Sequence, residues 1–408
     1  MNQRQIRQLL KEMDHPRVSG TAEELAAAER LRAACEELGA RAWLESFPVE
    51  LANVSAASLT ADGREVPCKG YKLCGSGTVE APLCYLPNTE PAALARVKGK
   101  IVLLDSGVSY FLYQDLLKYG ALGFITYDGN VRYADSDIDF KELRPYVSEG
   151  KKTLGVNVNA KEAFRLVKDG VKTVRITVEQ EEYAGESHNV VAELPGETEE
   201  WLVLTAHYDS TPLSRGLYDN MTGCIGLLET LEALRGTKHR YGLRFIFCGS
   251  EERGLLGSKA WVRDHEAELD KAALNVNLDM IGSVMGPFAA CCTAEDGLVS
   301  YIRYLSGELG WPVKVWQGVY SSDSTPFADK GVPALSFARL APQSQATIHN
   351  RYDTAAVLSA EQLQKDGAFI AEFTRRMADA APCPVKREIP EKVKGQLDEY
   401  LNRKRKEN

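Results

Sequence analysis

WLVLTAHYDS, residues 201–210, is the stretch on which the fold turns. A run of apolar and β-branched residues ends in a histidine and an aspartate, the form of a buried strand that stops at a polar edge. The form returns in LRFIFCGSEE (243–252) and ALNVNLDM (273–280), and NVVAEL (189–194) and VPALSFAR (332–339) read as further strands. Between them lie the helical stretches TGCIGLLETLEALRG (222–236) and GLVSYIRYLSGELG (297–310). Alternation of this kind predicts an α/β fold, a central mostly parallel sheet sandwiched by helices. In such sheets ligands bind beyond the carboxyl ends of the strands. His207, Glu251, Glu252 and Asp279 all fall at that edge.

Outward from this core the pattern changes. SGTAEELAAAERLRAACEELGA (19–40) reads as a helix capped by Ser19 or Thr21, with Glu23 and Glu24 in its first turn. Leu25, Ala28, Leu31 and Cys35 are expected to form its apolar stripe, and ARAWLESFPVEL (40–51) follows as a strand. Short strands and glycine turns then take over: VKGKIVLLDSG (97–107), DLLKYGALGFITYDGN (115–130), LGVNVNAKEAFRLVKDG (154–170) and KTVRITVEQ (172–180). These read as a small β-rich insert. The expected boundaries are 1–53, 54–182, 183–382 and 383–408. The last segment is charged, and its apolar residues Ile389, Val393, Leu397 and Leu401 suit one amphipathic helix at a solvated end.

Composition excludes several classes. With 408 residues, 44% hydrophobic and 26% charged, the chain suits a soluble globular protein of two or three domains. A net charge of −8 argues against nucleic acid as a partner. No apolar run of about eighteen residues is present, so no membrane span is expected. The first residues lack the apolar core of a secretory signal, and the expected location is cytoplasmic. Nine cysteines without a CxxC pair read as reduced, mostly buried thiols.

The polar residues near the strand ends are each ambiguous alone. In TAHYDS, His207 can ligate a metal if its second ring nitrogen is held, and Asp209 projects the same way; a metal-free surface pair is the bland alternative. In GLYDNMTG, Asp219 could be an N-cap or a carboxylate bridging two cations about 3.5–4 Å apart. In CGSEERGLLGS, one of Glu251 and Glu252 can ligate while the other accepts a proton, although paired glutamates are also common at helix starts. Asp279 closes an apolar strand, where a carboxylate needs a partner. His349 stands in ATIHNRYDT (346–354). Imidazole plus carboxylate without thiolate is the mixture of a hydrolytic metal site.

Taken in order, HYD, YDNMTG, SEERGLLGS, LDMIG, SSDSTPF with GVPAL, and IHNRYDT resemble the co-catalytic dizinc aminopeptidases, whose family also holds glutamate carboxypeptidases and glutaminyl cyclases. The resemblance is close over 186–380 and loose over 1–48. GKIVLLDSG with KYGALGFITYDG resembles the protease-associated domain found inserted in such peptidases, so 1–53 and 183–382 would be the zinc peptidase domain and 54–182 the insert. The resemblance implies two Zn2+ per chain. His207 and Asp279 would share one, Glu252 and His349 the other, and Asp219 would bridge. Glu251 matches the general base, Asp209 the residue behind His207, and Tyr320 a tyrosine that polarises the scissile carbonyl. Where the family often reads SDH this chain has Ser322-Asp323-Ser324, which alters the substrate-side wall.

The implied activity is zinc-dependent aminopeptidase hydrolysis of N-terminal peptide bonds through a metal-bridging water, with Glu251 as base. The substrate is a peptide or small aminoacyl compound. Carboxypeptidase, dipeptidase or amidohydrolase action on the same site is the alternative, and an inactive peptidase-like binding scaffold is the non-enzyme alternative. Glutaminyl cyclisation fits less well, because that subgroup works with one metal. The oligomeric state is left open, a homo-oligomer included.

Overall fold

The computed structural model describes residues 1–105, 107–129, 131 and 138–405. The Asn130 end of the expected YDGN turn and the last three residues of the tail lie outside them. The chain forms two compact units, Met1–Val49 with Glu186–Asn408, and Glu50–Gly185.

In the first unit the sheet runs, edge to edge, through Lys314–Gln317, Phe288–Thr293, Ala334–Arg339, Ala272–Leu278, Trp201–His207, Gly242–Cys248 and the end of Thr173–Leu194. Trp201–His207 pairs in parallel with Gly242–Cys248 on one side and Ala272–Leu278 on the other. Antiparallel pairing appears where Phe288–Thr293 meets Ala334–Arg339 and where Gly242–Cys248 meets Val190–Leu194. The result is a mixed, mostly parallel sheet with helices on both faces.

Strand alternation explains the two apolar layers. Leu202, Leu204, Ala206, Phe245, Phe247, Leu274, Val276 and Leu278 join one cluster with Gln3–Glu12, Ala22–Glu37, Thr222–Leu234 and Ala360–Asp379. Val191, Val203, Ile246 and Cys248 point the other way, toward Trp261, Val262 and Phe327. Both faces are buried, so the strands lack the one-sided polar alternation of an exposed sheet. One buried row is polar. Asn275 Nδ2 donates to Thr205 Oγ1 (3.2 Å), Thr205 Oγ1 donates to Asn277 Oδ1 (2.8 Å), and Asn277 Nδ2 donates to Ser336 Oγ (3.4 Å). Ser336 continues the row to Ser322 and Ser324.

Two expectations are corrected. The Ala22–Glu37 helix forms, capped by Thr21, but its buried side is Glu24, Ala27, Ala28, Leu31, Ala34 and Cys35. Leu25 is exposed. At about 100° per residue, position 25 lies a quarter-turn off the 24/28/31/35 line, so Glu24 takes the inward place. The terminal segment is not left in solvent either: Ile389, Val393 and Leu397 are buried against Ala328 and Ala334. Its helix, Glu391–Tyr400, is followed by Arg403, whose guanidinium donates to Asp329.

The second unit has its own core. Gly77–Leu86, Ile101–Leu104, Gly123–Asp128 and Gly155–Asn159 pair in parallel in that order, with Cys68–Gly70 antiparallel at the edge. The helices Tyr110–Lys118 and Ala160–Lys168 contribute Leu112, Tyr113, Leu116, Ala163 and Leu166 to that core. Gly155 is required here, because a Cβ would stand 2.1 Å from the Phe124 ring. No helix among the described residues is long and apolar enough to cross a membrane.

Candidate metal centre

The parallel register puts His207 at the last position of its strand and Asp279 just past Leu278 on the neighbouring one. Asp219 arrives from the other side, on the turn before the Thr222–Leu234 helix. That helix comes close because it carries glycine: a Cβ at Gly223 would lie 2.4 Å from the Leu278 carbonyl oxygen, and one at Gly226 2.6 Å from a Leu278 methyl. Asp219 does not cap the helix; Met221 holds the cap position without a side-chain bond. Glu251 and Glu252 sit on a single turn between two left-handed residues, Ser250 (φ 55°) and Gly254 (φ 106°).

These elements bring together all the ligand candidates. Asp219 uses both oxygens: Oδ1 lies 3.1 Å from His207 Nε2 and Oδ2 3.2 Å from His349 Nε2. His207 Nε2 is also 3.8 Å from Asp279 Oδ1 and 4.0 Å from Glu251 Oε2, and His349 Nε2 is 3.1 Å from Glu252 Oε2. Two three-residue groups result, His207–Asp219–Asp279 and Asp219–Glu252–His349, each with ligand atoms within 4.8 Å of one another. Tyr320 stands beside them. Burial first, then the charges of Asp279 and Asp219, raise its phenol far above the ordinary range.

Asp209 lies 3.4 Å from His207 Nδ1, and its two oxygens also accept the N–H groups of Glu251 (2.9 Å) and Glu252 (3.2 Å). One carboxylate therefore holds the glutamate turn and faces the ring nitrogen turned away from the ligand group.

The protein's own groups leave this place overcharged. Burial, followed by mutual repulsion, lifts the carboxyls of Glu251, Glu252 and Asp279 above the usual carboxylate range. Burial acts against Asp219 as well, yet hydrogen bonds to His207 and His349 hold it below that range. Burial would lower His349, but Asp219 and Glu252 carry it up to about 11. Asp279 Oδ1 is buried with no hydrogen-bond partner among the described residues. Buried carboxylates in this number need positive charge beyond two imidazoles. An all oxygen-and-nitrogen donor set, divided into two groups by a shared carboxylate, fits a pair of divalent cations.

Several residues to which sequence reasoning assigned no role complete the centre. Asp353, fully buried and four residues past His349, accepts the N–H of Tyr218 (2.7 Å) and of Asp219 (3.1 Å). Asn220 donates to the Leu278 carbonyl (2.8 Å) and accepts from Gly223 N (2.9 Å) and Met280 N (3.0 Å), tying the Asp219 turn to the Asp279 strand end. Arg17 is fully buried and donates to the carbonyls of Met13, His15, Tyr208, Arg215 and Gly216. Asp323 is buried within reach of His207's charge, and its Oδ1 accepts the Ser258 hydroxyl at 2.5 Å. A buried polar residue inside an apolar or loop stretch is the one sequence signal these share, and it does not name a partner.

The chain is similar to several known proteins. Residues 189–374 match the model of peptidase family M28. Aminopeptidase YwaD of Bacillus subtilis (strain 168) is 26% identical over 411 residues, spanning 94% of this chain and 86% of that protein. Probable lipoprotein aminopeptidase LpqL of Mycobacterium tuberculosis is 30% identical over 219 residues, 50% of this chain and 41% of that protein. Leucine aminopeptidase 2 of Arthroderma otae is 31% identical over 194 residues, 46% and 38% respectively. The matched part thus spans less than half of these last two. Among solved structures, an aminopeptidase from Aneurinibacillus sp. strain AM-1 superposes with a TM-score of 0.76 at 23% identity, covering 94% of this chain and 96% of that one. BSAP, a zinc aminopeptidase from Bacillus subtilis, does so with 0.75 at 24% identity, covering 95% and 98%. At these identities the superpositions establish the fold.

Proposed function

We propose that this chain, which belongs to peptidase family M28 through residues 189–374, is a zinc-dependent aminopeptidase that releases N-terminal residues from peptides. The observation that carries this reading is the sharing of Asp219 between two histidine-and-carboxylate groups. His207, Asp219 and Asp279 would hold one cation, and Asp219, Glu252 and His349 the other. Bound there, zinc would supply Lewis acidity, lowering the pKa of water and polarising the scissile carbonyl.

The remaining work falls to the chain's own groups. Glu251 Oε2 lies 4.0 Å from His207 Nε2, so its carboxylate borders the His207–Asp219–Asp279 group. It takes the proton of the attacking water and returns it to the leaving amine. Asp209 fixes the His207 ring and, through the N–H groups of Glu251 and Glu252, aims the base. Tyr320, whose phenol stays protonated, offers a hydrogen bond to the oxygen on which charge develops. The substrate is a peptide or a small aminoacyl compound with a free α-amine.

The test is a panel of aminoacyl p-nitroanilides beside N-blocked and C-terminal substrates, with metal content measured on the same protein. Two zinc ions per chain, hydrolysis only of free-amine substrates and loss of turnover with chelator are expected. Cleavage of the N-blocked or C-terminal substrates instead would reassign the same centre to another amide hydrolysis. A metal-free, inactive protein would leave a binding scaffold.

A further inference from the structure

Glu24 lies in the first turn of the second helix, a place where acids normally face solvent and favour the helix dipole. Here its carboxylate points inward and is almost completely buried. Oε1 accepts the hydroxyl of Ser187 at 2.7 Å and that of Ser250 at 3.3 Å, and Oε2 accepts the N–H of Gly20 at 2.5 Å. Ser19 Oγ lies 2.5 Å from Ser250 Oγ, so the second serine is gripped from two directions by the N-terminal segment. Ser250 is the residue immediately before Glu251, and it is a non-glycine residue in the left-handed region at φ 55°. Such a conformation persists where its surroundings impose it. On its other side the same turn is held by Asp209.

We infer that Glu24 is a positioning residue for the catalytic base: through Ser250 it sets the left-handed step that aims the Glu251 carboxylate. The inference rests on the proposed role of Glu251. Glu24 touches neither the ligand groups nor the substrate, so its effect belongs to the geometry of the glutamate turn. A small displacement of a catalytic group costs far more turnover than binding.

Glu24→Ala is therefore expected to lower kcat by about ten- to a hundredfold with KM held within about twofold. Its bound zinc should stay at the wild-type level, while amide hydrogen exchange across residues 249–254 speeds up. Glu24→Gln should recover part of the turnover, because its amide oxygen still accepts both serine hydroxyls while its NH2 group gives up the bond from Gly20 N–H. Ser250→Ala should reproduce the loss, and adding Glu24→Ala to it should cost little more, since both act along one path. Glu23→Ala, exposed on the same turn, should be silent.

Wild-type kcat in Glu24→Ala, additive losses in the double variant, or a loss confined to KM or to zinc content would each overturn the inference. Should Glu24→Ala fail to fold, Glu24→Gln and Ser250→Ala carry the same comparison. A wild-type protein with bound zinc but no aminopeptidase turnover would overturn the proposed activity instead, and exchange at 249–254 would still report whether Glu24 holds the turn.

Discussion

The two halves of the proposed metal centre share one carboxylate and differ in almost everything beneath it. His207 and Asp279 stand at the ends of adjacent buried strands, are nearly inaccessible, and are braced by Asp209 and the Asn220 bridge. His349 stands on a loop in the left-handed region, φ 59°, with its side chain 49% exposed. What fixes that loop is Asp353, whose carboxylate reaches back to the amides of Tyr218 and Asp219. One half is thus built by the sheet, and the other is hung from it. The difference teaches that ligands of one site can differ sharply in how much folding energy stands behind their placement.

The largest effect should come from removing what the halves have in common. Asp219→Ala is expected to abolish stable binding of both cations and to lower kcat/KM by at least about a thousandfold. Retention of one full equivalent of zinc, by mass spectrometry or elemental assay, would show that the halves are independent after all.

The two histidines should then separate. His207→Ala leaves a buried void beside unbalanced carboxylates and is expected to cost about 3 kcal/mol of metal-free stability. His349→Ala, half exposed, should cost less than about 1 kcal/mol and should retain one cation. Denaturant melts of both chelated variants make the comparison, and equal losses would end it.

Asp353→Ala tests the hanging half alone. Loss of a residue that orients ligands weakens a cation typically about 10- to 100-fold, and here the weakening should appear in one of two binding steps. Calorimetric titration of zinc into the chelated variant would reveal it, and equal weakening of both steps would mean that Asp353 supports the whole centre.

The smallest effect lies outside the centre and calibrates the rest. Glu372, on the Ala360–Asp379 helix, is held down to about 2, first by its hydrogen bond to Arg375 and then by Arg376. A lowered carboxyl contributes stability that is complete above its free value of 4.5 and is lost as pH falls from there toward about 2. Glu372→Gln should flatten only that acid limb, with a melting shift under about 2 °C near neutrality and zinc binding unchanged. A difference in melting between wild type and variant that itself varies with pH between 6 and 8 would place its influence inside the centre.

Much of this was legible in the residues. Apolar runs ending in His207 and Asp279 predict their own placement, because a parallel sheet delivers every such end to one edge. The MTG glycine likewise allows close backbone approach, and Gly223 does press against Leu278. What could not be read is partnership across long separations. Asp353 sits four residues from His349, yet its bonds go to Tyr218 and Asp219. Arg17 resembles a surface arginine until the loop at 208–216 closes around it. Glu24 and Leu25 exchanged expected places because one inward slot of a helix was claimed by a polar group, and apolar periodicity has no means of anticipating that choice.

The row of amides and hydroxyls through Thr205, Asn275, Asn277 and Ser336 has a further consequence. Greasy strands alone would tolerate sliding past one another, since leucine against valine is nearly as good one step along. With this row in place, a slip of one residue would turn each amide to the opposite face and strand it in hydrocarbon. The polar row therefore acts as a ratchet pawl for the sheet, and it is why two residues far apart along the chain finish at the same height.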